Sequence, residues 1–265
     1  MGEITYSVFT KPWQQVTMAE LASLVSELGF SAVEFPVRPG YQVEPESVGR
    51  GLPELARVLA DHGVSIASVA GPTDEATIAA CAEAGVPTIR VCLRMSAEEG
   101  YMAGEARLRK EHDALEPLLE RYGVQLGIQN HNGPDIANAM AVRHLIEGRD
   151  PRSFGIVWDA AHEALAGTEP EFAIDIAWPY LCMVNLKNGY WRRVNGPEAP
   201  YAQWKTYWTT GRHGLCDWPR VVAELKRRDY AGVVCLTAEY ADKEAVDRLI
   251  AEDMAFARSL FDGQD

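Results

Sequence analysis

The apolar and polar positions of this chain repeat one pattern along its length. A helical stretch ends at a glycine or near an aromatic residue, and a short, almost continuously apolar run follows at once, as in LARVLADHG–VSIASVAG and LLERYG–VQLGIQN. Glycine after a last helical turn is typical of a left-handed cap, and apolar runs that alternate with helices are typical of buried parallel strands. The runs predict eight strands, at about residues 4–9, 32–37, 64–70, 88–94, 124–130, 154–159, 181–187 and 232–239.

The stretches between these runs have helical patterns. They predict helices over residues 18–28, 52–62, 74–84, 105–122, 134–146, 218–228 and 245–260, with a short one around 170–178. Eight strand–helix units of about 33 residues fill the 265 residues. This favours the α/β class and a single (β/α)8 TIM barrel over residues 1–265, rather than a doubly wound sheet. Neither G-x-G-x-x-G after the first strand nor G-x-x-x-x-G-K-[ST] is present, so the fingerprints of nucleotide-binding folds are missing.

Charge and composition exclude several classes of partner. The formal net charge of −13 disfavours nucleic acid, and the most basic run, RLRKEH at 107–112, has acidic neighbours. No run of about 18 apolar residues predicts a membrane span, and the start MGEITYSVFT does not have the form of a signal peptide. The five cysteines are scattered without a C-x-x-C pair, which is typical of free thiols. We therefore expect a cytoplasmic protein that binds neither membranes nor nucleic acid.

Polar residues collect where several predicted strands end, and in a barrel these ends form the active face. Because side chains alternate in direction along a strand, Gln129 and His131 are expected to point the same way, as are Asn185 and Lys187. The residues expected to converge at the barrel mouth are Gln129, His131, Asp159, His162, Asn185, Lys187 and Glu239. Carboxylate and amide oxygens suit Mg²⁺ or Mn²⁺, whereas imidazoles and a lysine suit an acid, a base or a substrate-orienting donor.

A second set of residues is predicted to hold a substrate. The aromatic side chains suit the apolar faces of a sugar ring, and the charged ones suit a hydroxylated or anionic ligand. The predicted set is Trp13, Glu34, Arg38, Arg94 and Trp191. Packing of the indoles in the core, and pairing of the charged groups with one another, are the alternatives.

Most of these residues also have a structural interpretation. Asp159 suits the cap of a helix after strand six, and Lys187 suits an ion pair with Asp159 or Glu239. Glu239 ends a strongly apolar strand, where a carboxylate is costly to desolvate without a partner. The convergence of seven such residues at one face favours a functional site.

The sequence resembles the sugar phosphate isomerase/epimerase family, the xylose isomerase-like TIM barrels, over essentially its whole length. The stretches that carry the resemblance are LGFSAVEFPVR (28–38), YGVQLGIQNH (122–131), FGIVWDAAH (154–162), MVNLKNGY (183–190) and GRHGLCDWPRVVAELKRRDYAGVVCLTAEY (211–240). The resemblance implies a divalent metal held by a Glu ending strand five, an Asp after strand six, a His on strand seven and a Glu ending strand eight.

Two of these four positions depart from the family pattern. Asp159 and Glu239 match, but Gln129 stands where the family has Glu and Asn185 where it has His. The resemblance therefore implies Mn²⁺ or Mg²⁺ bound by Gln129, Asp159, Asn185 and Glu239, more weakly than usual because there are fewer anionic ligands. It also implies two opposed glutamate bases in family epimerases, a role that Gln129 cannot fill.

Three hypotheses follow. The leading one is a metal-assisted isomerase or epimerase that acts on a sugar, keto-sugar or polyol by removing a proton next to a carbonyl, with Glu239, His131, His162 and Lys187 as catalytic residues. The second is a lyase on the same scaffold, a dehydratase or an enzyme of β-elimination, because elimination needs only one base and one acid. The third is a sugar-binding protein without catalysis. The sequence leaves a homo-oligomer open.

Overall fold

The computed structural model describes residues 2–263, and a closed barrel of eight parallel strands lies at its centre. The strands within these residues, in chain order, are β1 (Ile4–Phe9), β2 (Ala32–Pro36), β3 (Ser65–Ala70), β4 (Thr88–Val91), β5 (Gln125–Gln129), β6 (Phe154–Asp159), β7 (Leu181–Leu186), β8 (Asn188–Arg193), β9 (Trp204–Thr209) and β10 (Gly232–Leu236). Strands β1 to β7 follow one another round the barrel, and β10 closes it between β7 and β1. The predicted fold class is confirmed, as are the eight predicted strands.

The helices surround the barrel. They are α1 (Met18–Glu27), α2 (Val48–Ala60), α3 (Glu75–Glu83), α4 (Tyr101–Tyr122), α5 (Ala139–Ile146), α6 (Ala160–Ala166), α7 (Pro170–Ala177), α8 (Trp218–Arg227) and α9 (Val246–Phe261). Eight match predicted helices, and α6 was not predicted. Helix α5 begins five residues later than predicted, because the Asn138 side chain accepts from the Ala141 amide and caps the helix there. No helix within residues 2–263 is both long and apolar enough to cross a bilayer.

The junctions between helices and strands follow the predicted glycine pattern at most positions. Gly123, with φ of +64°, ends α4 in the left-handed conformation, and β5 begins two residues later. After α8 a non-glycine residue, Asp229, takes this conformation with φ of +54°. The glycine of that junction, Gly232, is instead the first residue of β10.

Side chains along each strand point alternately out of the barrel toward the helices and into the barrel. The outward side chains, such as Phe35, Ile89 and Trp158, belong to the large apolar core that includes the helices. A second, smaller cluster contains Phe9, Ala70, Val157, Met183 and Cys235. The strands thus position the polar side chains at their carboxyl ends against a rigid, packed interior.

An antiparallel hairpin of β8 and β9, which was not predicted, follows β7. Its register runs from Asn188 opposite Thr209 to Arg193 opposite Trp204. The Asn188 side chain holds the start of the hairpin in place. Its amide group donates to the carbonyl of Gly211 at 2.7 Å and to that of Cys216 at 2.9 Å. The hairpin brings Trp208 against the polar residues at the end of β7.

A buried carboxylate on α9 joins the loop after β9 to the loop after β10. Asp253 accepts from the Gly211 amide and from the Tyr240 hydroxyl, both at 2.7 Å. Burial raises the pKa of the Asp253 carboxyl to about 6, although both hydrogen bonds oppose this. Asp253 thereby restrains Tyr240, the residue next to Glu239.

Replacing Asp253 by asparagine is expected to change how stability depends on pH. The folded protein holds a proton on Asp253 more tightly than the unfolded chain does, so the contribution is full below about pH 4 and falls as the pH rises through about 6. The difference in unfolding free energy between the wild type and Asp253→Asn should therefore fall by about 3 kcal/mol from pH 3 to pH 7, at about 1.36 kcal/mol per pKa unit. Urea unfolding of both proteins at several pH values measures this. A difference that does not change with pH would contradict it.

Candidate active site

A cavity of about 140 Å³ opens at the carboxyl ends of the barrel strands. It is smaller than the roughly 300–1,000 Å³ of sites for drug-sized ligands, and so suits a small molecule. The predicted site residues that line it are Arg38, Gln129, His131, Asn185 and Glu239. The lining residues that were not predicted are Phe9, Lys11, Arg90, Cys92 and Thr237.

Glu239 lies between two ammonium groups. Its Oε2 is 2.8 Å from Lys187 Nζ, and its Oε1 is 2.5 Å from Lys11 Nζ. Burial opposes ionisation, but the charges and hydrogen bonds of Lys187 and Lys11 outweigh it and hold the pKa of the Glu239 carboxyl well below its usual value. The residue is placed by a backbone turn rather than by the strand, because β10 ends at Leu236 and Ala238 has the left-handed φ of +50°.

Lys187 is buried among partners of different kinds. Its side chain is 4% exposed, and its Nζ lies 3.8 Å from the centre of the Trp208 ring as well as beside Glu239. His162 Nε2 lies 3.4 Å from the same Nζ. Because the Asn132 amide donates to His162 Nδ1 at 3.2 Å, the neutral ring carries its proton on Nε2. Glu239 and the Trp208 ring are therefore the favourable partners of Lys187.

The buried His162 ring remains uncharged. Burial, followed by the charges of Lys187 and His131, holds the pKa of His162 far below its usual value. Its ring packs against His131, with 4.0 Å between the ring centres, and against Trp208 at 5.0 Å. His162 thus suits a neutral hydrogen-bond donor better than a base.

His131 has an orienting carboxylate. Its Nδ1 lies 2.9 Å from Asp135 Oδ2 and 2.9 Å from the Asn132 carbonyl oxygen. Since both neighbours are acceptors, Nδ1 carries the proton and Nε2 is left to accept another. The His131 side chain is half-buried and lines the cavity, so it suits a base or acid at the mouth.

Asp159 is fully buried and accepts only from neutral donors. Its Oδ1 accepts from the amides of Ala161 and His162, both at 3.1 Å, which caps α6. Its Oδ2 accepts from Gln129 Nε2 at 2.8 Å and from Asn185 Nδ2 at 3.5 Å. Burial raises the pKa of the Asp159 carboxyl, and the charge of Lys187 is the largest influence that opposes the rise. The contacts of Oδ1 are those of a helix cap, as the structural interpretation of Asp159 predicted.

The donors at these positions do not fit a divalent cation in this arrangement. Gln129 and Asn185 turn amide N–H groups, not oxygens, toward Asp159, and both oxygens of Glu239 are engaged by ammonium groups. Across residues 2–263 there is no group of three or more His, Cys, Asp or Glu placed to hold a metal ion. The metal ligand set Gln129, Asp159, Asn185 and Glu239 therefore stays a prediction without support from the donor geometry.

Glu34 lies inside the barrel in a buried ion pair. Its carboxylate accepts from Arg90 Nε at 2.9 Å and from Arg90 Nη2 at 2.8 Å, and Ser68 Oγ donates to it at 3.1 Å. The Glu34 side chain is fully buried, while Arg90 reaches the cavity and stacks on Phe9. The structure thus makes Glu34 a support for Arg90 rather than a lining residue of the cavity.

Replacing Arg90 by methionine is expected to destabilise the protein by about 3–5 kcal/mol, because the Glu34 charge is left buried without a partner. The double variant Arg90→Met with Glu34→Gln is expected to recover most of the loss. Denaturant unfolding of the two variants and the wild type measures both effects. A loss below about 1 kcal/mol in the single variant would show that the pair does not matter for folding.

Three other residues predicted to bind substrate lie away from the cavity lining. The Trp13 indole is buried and donates to Asp247 at 2.8 Å. The Arg94 side chain is 76% exposed and lies 3.5 Å from Asp135. Trp191 is on the hairpin, where it forms an outer groove with Trp204.

Besides Phe9, Cys92 and Thr237, four residues of the site were not predicted, and each of the four has a different signal in the sequence. Lys11 lies two residues after the end of the first strand, and Arg90 is an isolated charge in an apolar strand. Trp208 is one of three tryptophans between residues 190 and 210, and nothing in the local sequence distinguishes it from Trp191 and Trp204. Asp135 follows the turn after β5, and only the folded loop brings it to His131.

Comparison with known proteins places the chain in a family. The model of the xylose isomerase-like TIM barrel family matches residues 22–260. No curated protein matches the chain in sequence.

Solved enzyme structures share the fold at low sequence identity. The 3-keto-D-glucoside 4-epimerase YcjR from E. coli has a TM-score of 0.75 and 14% identity, with 97% of this chain and 100% of that chain covered. An L-ribulose 3-epimerase has a TM-score of 0.74 and 15% identity, with 99% and 95% covered. The probable 3-DHS dehydratase AsbF from Bacillus anthracis has 0.70 and 15%, with 96% and 98% covered. The family match extends over most of the chain, and the chain belongs to the family of xylose isomerase-like TIM barrels.

Proposed function

We propose that the protein is an enzyme that moves a proton next to the carbonyl group of a keto-sugar or related polyol derivative, giving isomerisation or epimerisation. One observation carries this proposal: an ionised Glu239 and the proton-accepting His131 Nε2 line the same small cavity beside ammonium groups. A base and a cation placed together are what enolisation needs. The similar structures with epimerase names agree with this class of reaction.

The first step is removal of a proton by Glu239. In the free protein Glu239 is a weak base, because Lys187 and Lys11 hold its pKa low. A substrate carbonyl oxygen that accepts N–H groups from these lysines draws them away from Glu239 and raises its basicity. The carbon-bound proton then goes to Glu239, and its electron pair moves through the carbon–carbon bond to the carbonyl oxygen, giving an enediolate.

The second step returns a proton from another direction. Gln129 is an amide and cannot exchange protons in this way, but His131 lines the cavity and is oriented by Asp135. His131 first takes up a proton from water at Nε2, and then donates it to the opposite face of the same carbon for epimerisation, or to the neighbouring carbon for isomerisation. The proton on Glu239 then passes through water to His131 Nε2, which returns both groups to their starting states.

Deuterium incorporation tests the proposal. Purified protein, with and without Mn²⁺ or Mg²⁺, is incubated in deuterated water with a panel of keto-sugars and sugar acids, and products are followed by mass spectrometry and NMR. Uptake of deuterium next to the carbonyl is expected. Sugar binding by calorimetry without any exchange or product across the panel would overturn the proposal in favour of a sugar-binding protein.

Elimination from a keto-sugar is the second candidate. Gln129 favours it, because one carboxylate base is enough when the enediolate expels a hydroxyl or a glycosyl-linked group from the neighbouring carbon. An unsaturated, ultraviolet-absorbing product with release of the leaving group would identify this reaction. Deuterium exchange with all leaving groups retained would exclude it.

A further inference from the structure

We propose, on the basis of the proposed function, that the ammonium groups of Lys11 and Lys187 supply the positive charge that stabilises the enediolate, and that the protein works without a divalent cation. This makes Lys11 a catalytic residue. The family resemblance implied a metal for this task, but the donors at the four ligand positions do not fit one.

The two lysines are held where the charge is needed. Lys187 Nζ contacts Oε2 of Glu239 at 2.8 Å, and Lys11 Nζ contacts Oε1 at 2.5 Å. Both ammonium groups are therefore in direct contact with the proposed base. Lys187 reaches this point from the end of β7, and Lys11 from the short helical turn Lys11–Trp13 after β1. Their elements lie on either side of β10 in the barrel, which bears Glu239 just beyond its end.

The surroundings favour cations at this position. Lys187 is almost fully buried against the face of Trp208, which attracts a cation and excludes water. Arg38 and Arg90 also line the cavity, although the whole chain carries a net charge of −13. Lys11 is more open to solvent, with 42% of its side chain exposed, and is held by its contact with Glu239. Positive groups fixed in advance stabilise a developing anion without reorganisation during the reaction.

The carboxylate that would remain for a metal is already satisfied. Both oxygens of Asp159 accept hydrogen bonds, from the first turn of α6 and from the amide groups of Gln129 and Asn185. Asn185 Oδ1 is buried without a hydrogen-bond partner among residues 2–263, but it is a neutral oxygen and one donor cannot hold a hard cation. A divalent ion would have to displace N–H donors from Asp159 and ammonium groups from Glu239.

Metal binding is the first test, and it does not depend on activity. Chelator-treated wild-type protein titrated with Mn²⁺ in a calorimeter, and elemental analysis after gel filtration, are expected to show no stoichiometric metal. The variant Gln129→Glu with Asn185→His supplies an anionic oxygen and an imidazole, and should bind Mn²⁺ at least ten times more tightly than the wild type. One Mn²⁺ retained per wild-type chain, lost in both Asp159→Ala and Glu239→Ala, would overturn the inference.

The second test assigns the role of Lys11. Lys11→Ala is expected to lower kcat for deuterium exchange by about 100-fold, since removal of one stabilising donor has this size. Methylammonium ions added to this variant should raise its kcat at least tenfold, whereas Mn²⁺ should not raise it. The exposed Lys243→Ala serves as the matched control and should retain wild-type exchange.

The outcomes separate this inference from the proposed function. Exchange by the wild type only after addition of Mn²⁺, or an unchanged kcat in Lys11→Ala, would overturn the role of the lysines and leave the enolisation in place. Absence of exchange in every metal state and with every sugar would overturn the proposed function itself.

Discussion

Replacing Glu239 by glutamine is expected to lower kcat for deuterium exchange next to a keto-sugar carbonyl by roughly 10³-fold, within the range that a positioned acid or base contributes. Glutamine has the same size and keeps an oxygen that can accept from Lys187 or Lys11, but it cannot take up the substrate proton. The substrate KM should change little, because the cavity shape is retained.

The Glu239→Gln result needs a matched control and a check of folding. Glu244→Gln makes the same change on the exposed turn that follows, and should leave kcat unchanged. Circular dichroism and thermal unfolding show whether the variant still folds when Lys187 and Lys11 no longer have the Glu239 carboxylate as an ion-pair partner. If folded Glu239→Gln keeps more than a tenth of wild-type kcat, another residue is the base.

Replacing Lys187 by methionine is expected to lower kcat by roughly 10²–10³-fold, the size found when one donor to a developing oxyanion is removed. Methionine fills a similar volume and keeps apolar contact with Trp208, so the change removes the charge and the hydrogen bonds more than the packing. Glu239 keeps Lys11 as a partner and therefore remains paired in this variant.

Steady-state kinetics on the same substrate, with Lys243→Met as the control, measures the Lys187 effect. The loss should appear mainly in kcat, because the ammonium group matters most when negative charge develops on the substrate oxygen. A variant that raises KM with kcat unchanged would instead make Lys187 a binding residue. The role of Lys187 in stabilising the enediolate would then be wrong.

Much of the fold was predictable because the barrel repeats a simple pattern. Continuous apolar runs such as FGIVW indicate strands that are buried on both faces. Glycines such as Gly123 indicate where a helix ends and the next strand begins. The helix α6 was missed because it starts immediately after β6, with Asp159 at once the strand end and the helix cap. The hairpin was missed because its residues, NGYWRR and WKTYWT, lack the apolar character of the barrel strands.

The site was predictable where the strands alone determine it. Gln129 and Asn185, at or near strand ends, line the cavity as the alternation rule predicts. Glu239 lines it too, but through the turn at Ala238. The lysine pair and the His131–Asp135 pair depend on loops, and the pairing of Glu34 with Arg90 joins strands that are not neighbours. Such contacts follow from the closure of the barrel and have no signature in local sequence.

The most direct test of the account is the rate at which chelator-treated wild-type protein exchanges solvent deuterium into its keto-sugar substrate, followed by NMR before and after addition of Mn²⁺. Exchange is expected at the carbon next to the carbonyl, at a rate that changes less than twofold on addition of Mn²⁺ and is lost in Glu239→Gln. Exchange that begins only when Mn²⁺ is present, or that persists at the wild-type rate in Glu239→Gln, would contradict it.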